Sequence, residues 1–444
     1  MARAKVIRDL LYGYLRLDEW CLRLVDTPHF QRLKRVRQLT SQDLFPSTNH
    51  TRFEHSLGVL ALGRRALDAI ETNARNPSAR KAMRDLRRTV EAALLLHDVG
   101  HAPFSHVGEG CYDRSSISGR LKDDHGFELP QDWSEHEAMS ALVAVSCLHD
   151  PLMAADVDER LLCRAITGHS YDAPDRWAEN ACVDLVNSAC DVDKLDYVVR
   201  DNFMTGGQLA AFDYERIVAS FTIHKRRLVF LPAALSALAG MVHGRNHMYV
   251  WVYNHHTVAY TGHLVATFLE HVLEQDEGLR AQLFSLEGIS ENLSDDSDVL
   301  AALKRHRDHD ERCHRLYEQL FHRKHHRALW KTWYEFEATV NDAAQRNRLA
   351  ARTAEPEGMM AVASELRDAV GAKHEDDLYV VRARFKPFIP GPGWNVYVSM
   401  GGENKEFSEF YAPRITADLP PEMVYVYHAP SLSAKDIAKA VNQL

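Results

Sequence analysis

The chain of 444 residues lacks the marks of several protein classes. Its seven cysteines include no pair with the CxxC spacing of a structural zinc site, and a chain of this length does not depend on disulfides for its core. We therefore interpret the cysteines as reduced thiols. The sequence has no run of roughly 18 apolar residues that could span a membrane and no signal peptide at its start, so we expect a cytoplasmic protein.

An excess of basic charge is also missing. The 53 basic and 62 acidic side chains give a formal net charge of -9, which argues against a protein that coats nucleic acid. A local basic pocket for a phosphorylated small molecule stays compatible with this balance. The histidine-rich stretch 307–327 could contact nucleotide or nucleic acid, but its pattern favours the wet face of an amphipathic helix that buries Leu316, Leu320 and Phe321.

Helical periodicity is the main structural signal. Apolar residues recur at three- and four-residue spacing from about residue 18 to 275, with polar loops near 76–80, 110–134 and 171–176. Residues 226–232 suggest a short strand, and β-rich segments follow residue 355, before a closing helix that Ser433 or Ser431 can cap. We predict a mainly α protein with a helical core over 1–275, a helical extension over 276–345 and a small α+β region over 346–444.

The strongest local signal is LLLHDVGHAPFSH, residues 94–106. A buried apolar helix is predicted to end at His97 and Asp98, where a glycine and a proline turn the chain. An adjacent imidazole and carboxylate offer mixed N and O ligands, which suit Mn, Fe, Zn, Co or Ni better than a pure oxygen shell would. A lone His-Asp pair commonly means nothing, but the further histidines at 101 and 106 favour a metal site.

Two flanking segments add residues of the same chemistry. In NHTRFEHSLGV, Thr51 or Asn49 can cap a helix on which His55 lies one turn from Arg52. The pair is either a second imidazole ligand with a phosphate-binding arginine, or two polar residues that face solvent.

The second segment is DVDKLDYVVRD, residues 191–201. On a helix Lys194, Tyr197 and Asp201 share one face, with Asp193 beside it. That face offers a carboxylate ligand, a cation and a phenol, although a solvated charged surface is the usual fate of such a run.

In this order the motifs form the H…HD…D signature, and the segment from Asp26 to Asp201 resembles the deoxynucleoside triphosphate (dNTP) triphosphohydrolases of the HD superfamily, which include dGTPases. The resemblance implies an HD-domain helical core with a small α+β region. The matching strings are DTPHFQRLKRVRQL (26–39), TRFEHSLGV (51–59), HDVGHAPFSH (97–106), EHE (135–137) and DVDKLDY (191–197).

The resemblance implies roles for individual residues. His136 matches the catalytic histidine that protonates the leaving nucleoside oxygen, Glu109 replaces the aspartate that orients it, and His101 belongs to the same catalytic group. The implied ligands of a divalent metal ion (Mn, Fe, Zn, Co, Ni or Mg) are His55, His97, Asp98 and Asp193. The implied substrate-binding residues, at the phosphates or the sugar, are Gln38, Arg52, His106, Lys194, Tyr197, Asp201, Arg245 and Tyr253.

The implied reaction is metal-dependent hydrolysis of dNTPs to deoxynucleoside and inorganic triphosphate. Another HD-class nucleotide phosphohydrolase or phosphodiesterase is the alternative, and a non-catalytic nucleotide sensor or nucleic-acid-binding protein is a third. By resemblance we also expect a homo-oligomer, dimer or tetramer, and a nucleotide activator at Asp26, Gln31 and Lys34. Asp26 equally suits the N-cap of the helix that includes Pro28.

Overall fold

The computed structural model describes residues 4–208, 210–383, 394–411 and 423–444. Helices dominate these residues and the strands are few and short, which confirms the predicted mainly α class. The chain starts with an antiparallel hairpin of β1 (Lys5–Asp9) and β2 (Gly13–Leu17). No helix within the described ranges is long and apolar enough to cross a bilayer.

A series of helices follows the hairpin and builds the largest part of the core. Thr51 caps the long helix α3, and its backbone N–H donates to the Glu54 carboxylate at 2.8 Å. Pro77 occupies the first turn of α4, which packs along α3 through a run of buried alanines and leucines. These helices are α1 (Glu19–Val25), α2 (Pro28–Arg32), α3 (Arg52–Asn73), α4 (Pro77–Leu96), α5 (Arg114–His125), α6 (Glu135–Cys147), α7 (His149–Ala154), α8 (Glu159–Ile166), α9 (Trp177–Val186) and α10 (Val192–Met204).

The second half of the chain mixes helices with short strands. Residues Tyr249–Tyr253 form a π-helical turn between two of the helices. The elements are α11 (Tyr214–Ala219), β3 (Phe221–His224), β4 (Arg227–Phe230), α12 (Leu235–Met248), α13 (His256–Gln275), α14 (Glu277–Phe284), α15 (Leu286–Ser290), α16 (Asp296–Arg305), α17 (Glu311–Phe321), β5 (Arg327–Ala328), α18 (Trp333–Thr339), α19 (Ala343–Arg352), α20 (Pro356–Val370), β6 (Leu378–Arg382), β7 (Tyr397–Met400), β8 (Glu403–Glu406), β9 (Val424–His428) and α21 (Ala434–Val441).

The late strands join earlier ones rather than forming a sheet by themselves. One sheet has the order β3-β4-β7-β8, with β7 parallel to β4 and Val398 opposite Phe230. The other has the order β5-β9-β6, all antiparallel. The boundaries 1–275, 276–345 and 346–444 stay a prediction, and residues 384–393 and 412–422 of the last region lie outside the described residues.

Local expectations meet the structure with three corrections. The predicted loop near 76–80 is instead the Asn76 cap and the first turn of α4, which begins at Pro77. The predicted loop 110–134 contains helix α5, which Asp113 caps and Gly126 ends in a left-handed conformation. The cap of α2 is Thr27, whose hydroxyl accepts from the backbone N–H of Phe30, whereas Asp26 ends the preceding helix. The strand within 226–232 and the Ser433 cap of α21 are confirmed. In α17, Leu316 is buried as predicted, while Leu320 and Phe321 are half-buried.

Candidate active site

Helices α3, α4 and α10 each bring one part of a histidine and aspartate cluster to the same place. His55 lies on the first turns of α3, His97 follows the last turn of α4, and Asp193 lies on the first turn of α10. A Cβ atom on Gly63 would meet Cδ1 of Leu94 at 2.2 Å, so with glycine at this position Leu94 packs directly against the α3 backbone. This close packing brings His55 beside His97.

The four predicted ligand residues lie within reach of one another. The Nε2 atom of His55 is 3.2 Å from Nε2 of His97, 3.0 Å from Oδ1 of Asp193 and 3.6 Å from Oδ2 of Asp98. The Nε2 atom of His97 is 3.6 Å from carboxylate oxygens of both Asp98 and Asp193. Ligands of a tetrahedral ion with bonds of about 2.0–2.1 Å stand about 3.3 Å apart, so the donor set fits a divalent cation.

The charge balance of this cluster also favours a cation. Burial opposes a charge on His55, but hydrogen bonds and charges from Asp193 and Asp196 outweigh it and raise its pKa to about 10. Burial alone would raise the pKa of Asp193, whereas His55 and His97 hold it well below its ordinary value. The carboxylates thus draw protons onto the imidazoles, and a bound metal ion would take the place of those protons.

Asp196 is a buried carboxylate beside the first cluster that the sequence motifs did not indicate. It is fully buried, and its Oδ2 atom accepts from Nδ1 of His55 at 2.7 Å. Arg200 donates to the same carboxylate at 2.9 and 3.0 Å and pairs with Asp9 at 3.1 Å. This contact leaves Nε2 of His55 as the nitrogen that faces the cluster. The spacing of Asp193 and Asp196 in DVDKLDY, one turn apart on a helix, was the available signal.

A second cluster is centred on Glu109. Its Oε1 atom is 2.8 Å from Nδ1 of His106, 3.0 Å from Nδ1 of His136 and 3.3 Å from Nε2 of His101. His136 lies on the first turn of α6, and its ring stacks on that of His101 with centroids 4.7 Å apart. The glutamate thus reaches the position that an orienting carboxylate needs, despite its longer side chain.

The members of this cluster differ in protonation. Burial disfavours a charged His136, but the Glu109 carboxylate overrides it and raises the pKa of His136 to about 9. Burial, with the charges of Arg52 and His136, lowers the pKa of His101 well below its ordinary value. Burial alone would raise the pKa of Glu109, but His106 and His136 lower it overall. At neutral pH the cluster therefore holds a protonated His136 beside a neutral His101, which is the arrangement of a general acid.

Two family matches cover most of the chain. Residues 52–201 match the HD domain family, and residues 212–363 match the HD associated region. The chain belongs to the HD-domain family. Both clusters lie inside the matched HD domain, and the resemblance to its dNTP triphosphohydrolase-like members is confirmed. The coarse chemistry that follows is that of an HD-class phosphohydrolase.

Relatives of this HD protein match it over little more than half of its length. An uncharacterized protein of Methanocaldococcus jannaschii is 31% identical over 259 residues, 57% of this chain and 47% of that protein. Deoxynucleoside triphosphate triphosphohydrolase SAMHD1 homolog of Dictyostelium discoideum is 28% identical over 254 residues, 57% and 46% of the two chains. The chain thus spans about half the length of these curated relatives.

Two solved structures share the fold over nearly their whole length. A hypothetical protein from Aquifex aeolicus has a TM-score of 0.69 at 23% identity, with 99% of both chains covered. A phosphohydrolase from Bacteroides thetaiotaomicron has a TM-score of 0.64 at 21% identity, covering 96% of this chain and 99% of that one. At these identities the likeness concerns the fold alone.

A buried arginine fixes the turn that carries the HD motif. Arg32, fully buried on α2, donates to the backbone carbonyls of Val99 at 3.2 Å, His101 at 2.6 Å and Ser294 at 2.7 Å. The Tyr112 hydroxyl donates to the carbonyl of Gly100 at 2.7 Å. These bonds satisfy the consecutive carbonyls of residues 99, 100 and 101, so the HD turn is held by Arg32 from outside the HD domain match and by Tyr112 from within it.

The predicted phosphate and sugar residues form two groups. Near the first cluster Arg52 donates to Asp98 at 2.7 Å and to the Ser105 hydroxyl at 3.0 Å. Lys194 pairs with the buried Asp191 at 2.7 Å, and Nε of Arg245 donates to the Tyr197 hydroxyl at 2.8 Å.

The second group lies around Asp201. Its carboxylate pairs with His50 at 2.7 Å and accepts from the Tyr253 hydroxyl at 2.6 Å. Gln38 is buried, and its backbone N–H donates to the carbonyl of His50 at 3.1 Å. Its side-chain oxygen has no hydrogen-bond partner within the described residues, so that a substrate hydroxyl could donate to it.

The predicted activator residues form a local group on the surface. The Lys34 ammonium donates to the Gln31 side-chain oxygen at 2.7 Å and lies 4.6 Å from the Phe53 ring centre. The Gln31 amide donates to the carbonyl of Val25 at 2.7 Å, and Asp26 is exposed. Activation by nucleotide stays a prediction.

Proposed function

We propose that this HD domain hydrolyses dNTPs to deoxynucleoside and inorganic triphosphate. The observation that carries the proposal is that a divalent-metal donor set lies next to the His136–Glu109 pair, with Asp98 of the first cluster and His101 of the second on the same turn. The backbone N–H of His101 donates to the carbonyl of Asp98 at 3.0 Å, so the two clusters are rigidly joined. The names of two relatives, from Dictyostelium discoideum and Danio rerio, give this activity for those proteins.

The residues divide the reaction between them. We assign the metal to His55, His97, Asp98 and Asp193; when bound, a divalent ion would neutralise phosphate charge and make water more acidic. Arg52 and Lys194 would stabilise the negative charge that develops on the triphosphate. Water attacks the α-phosphorus, the bond to the nucleoside 5′-oxygen breaks, and His136 donates its proton to that oxygen. The attacking water supplies the balancing proton to solvent.

The sugar end of the substrate would lie against the second group. Asp201, Tyr253 and the unpaired oxygen of Gln38 together offer acceptors and one donor for a hydroxyl. A site built to bond a hydroxyl discriminates against an analogue that lacks it, because its buried polar atoms would stay unpaired. We therefore expect the 3′-hydroxyl to be needed for turnover.

Product analysis tests the reaction. The protein is incubated with each of the four dNTPs and four ribonucleoside triphosphates, with Mg, Mn and Co in turn, and the phosphate products are separated. Release of intact triphosphate is expected. Release of monophosphate or pyrophosphate would refute the proposal and indicate a different HD-class phosphohydrolase or a phosphodiesterase.

Paired variants test the residue roles. His97→Ala/Asp98→Ala should lose both metal and turnover, whereas His136→Ala should keep the metal and lose turnover. His149→Ala is the matched control, because His149 also pairs with a glutamate, at 2.9 Å on the surface, away from the site. Wild-type turnover in the double variant would show that the ligand assignment is wrong.

A further inference from the structure

The Glu109 cluster has the composition of a metal site in its own right. We propose that His101, His106, Glu109 and His136 bind a second transition-metal ion, with zinc as the best match, and that this ion inhibits the enzyme. Three imidazoles and one carboxylate form a common donor set for zinc, cobalt and nickel. The binding claim rests on this geometry, and the inhibition rests on the function proposed above.

The distances within the cluster are those of a tetrahedral site. One ligand atom from each of the four residues lies within 4.8 Å of the other three. The separations from Oε1 of Glu109 are 2.8, 3.0 and 3.3 Å, at or up to about 0.5 Å below the value of about 3.3 Å that zinc bonds of about 2.0–2.1 Å require. Small rotations of the exposed His106 side chain would complete the coordination.

His101 supplies an independent indication of a ligand. Its side chain is fully buried, its Nδ1 atom makes no hydrogen bond within the described residues, and its Nε2 atom faces the Glu109 carboxylate at 3.3 Å. A buried imidazole nitrogen left without a hydrogen bond is costly, and native structures normally satisfy such groups. Its Nε2 atom, on the side of the Glu109 carboxylate, can present a lone pair to a metal ion.

The two metal sites should differ in affinity. The guanidinium of Arg52 contacts Asp98 at 2.7 Å and Ser105 at 3.0 Å, which places a fixed positive charge between the clusters. The Glu109 site has one carboxylate, whereas Asp98 and Asp193 both belong to the first site. The Glu109 site therefore receives less compensation for a divalent charge and should fill second.

Occupation of the second site would remove the acid of the reaction. A metal ion on Nδ1 of His136 would take the place of the proton that makes the ring an imidazolium, so the proton left on Nε2 would be a far weaker acid. Glu109 would then hold the metal rather than polarise His136. Hydrolysis would rise while the first site fills and fall while the second fills. An enzyme of this kind would be active at one metal equivalent and inhibited by excess zinc.

Metal counting on the full chain tests the binding claim without reference to activity. Chelator-stripped protein is titrated with Co²⁺ and Zn²⁺, bound metal is measured by elemental analysis, and tetrahedral Co²⁺ is followed by its visible absorption. His106→Ala is the principal variant, because its side chain is 68% exposed and its loss spares the core. Glu109→Gln is the second variant, and His149→Ala is the control.

We expect His106→Ala and Glu109→Gln to bind one equivalent less than the wild type, or to bind it at least tenfold more weakly. His97→Ala/Asp98→Ala should lose the other equivalent and keep the Glu109 site. Equal stoichiometry and affinity in wild type and His106→Ala would overturn the second site. Two bound ions with undiminished triphosphate release in excess zinc would overturn its inhibitory role and leave the proposed reaction intact.

Discussion

The contact between Asp196 and His55 carries the sharpest prediction, because it concerns a residue outside the four ligands. In Asp196→Asn the shape of the side chain is kept, but an amide replaces the charged acceptor of the His55 Nδ1 proton, 2.7 Å away. His55 would no longer be held in the tautomer that directs the Nε2 lone pair to the metal. Loss of such an outer contact typically weakens metal binding by about 10- to 100-fold.

The surrounding charges set the size of the effect. Arg200 keeps Asp9 at 3.1 Å after the substitution, so its charge is not stranded. We therefore expect the fold to survive and the dissociation constant of the first metal ion to rise by about 10- to 100-fold, which corresponds to about 1.4 to 2.8 kcal/mol. A Cβ atom on Gly58 would lie 2.2 Å from Oδ1 of Asp196. Gly58→Ala should therefore displace the Asp196 carboxylate from His55 and lower the affinity for the first metal ion.

The assay is competition with a chelating dye, with circular dichroism to confirm folding. Asp213→Asn is the matched control, since Asp213 also pairs with an arginine on its own helix, at 3.0 Å and in solvent. Its metal affinity should equal that of the wild type. A folded Asp196→Asn protein that binds the metal within twofold of the wild type would refute the reasoning.

The Glu109–His136 pair and the packing of the HD turn each lead to two further predictions. In the pH profile of kcat, activity should fall as pH rises through about 9, the raised pKa of His136. Glu109→Gln should move this fall toward pH 6.5. An unshifted profile would show that Glu109 does not raise the pKa of the catalytic acid. The stability that the pair contributes should be complete between about pH 4.5 and 6.5, because Glu109 is then charged and His136 protonated in both states. It should be lost as pH rises through about 9 and should also decline in acid as Glu109 takes up a proton, as thermal unfolding of the same two proteins would show. Arg32→Met should lower the free energy of unfolding by about 3–5 kcal/mol, because three buried carbonyls lose their donor, whereas Arg23→Ala on the surface should cost less than about 1 kcal/mol in the same urea titration. Gly100→Ala should cost about 1–3 kcal/mol and lower kcat, since its Cβ would lie 2.4 Å from the backbone of α6; unchanged stability would mean that α6 moves freely.

Periodic patterns predicted the helical class, because apolar residues at helical spacing report burial directly. The same periodicity did not predict helix α5. It buries only Ile117 and Leu121, and its other residues are polar, charged or glycine and are exposed or half-buried. Its ends are defined by the Asp113 cap and the left-handed Gly126, features that are equally common in loops.

Site residues that are neighbours in the sequence could be predicted, whereas residues whose role depends on contacts with distant segments could not. His97 and Asp98 are neighbours in sequence, so the pair could be recognised. Arg32 stands in a run with several other basic residues, and its complete burial depends on carbonyls near 100 and 294 that sequence does not bring together. For the same reason the β4–β7 pairing could not be expected from alternation alone, since it joins Phe230 to Val398.

That parallel pairing has a consequence for the order of folding. Strand β7 follows β4 by more than 160 residues in the chain. The edge of β4 that pairs with β7 therefore stays without its partner until almost the entire chain has been synthesised. During this interval an apolar strand edge is exposed to other nascent chains, which is the usual route to aggregation. Chains that stop before β7 should therefore accumulate in inclusion bodies, even though every residue of both clusters is already present.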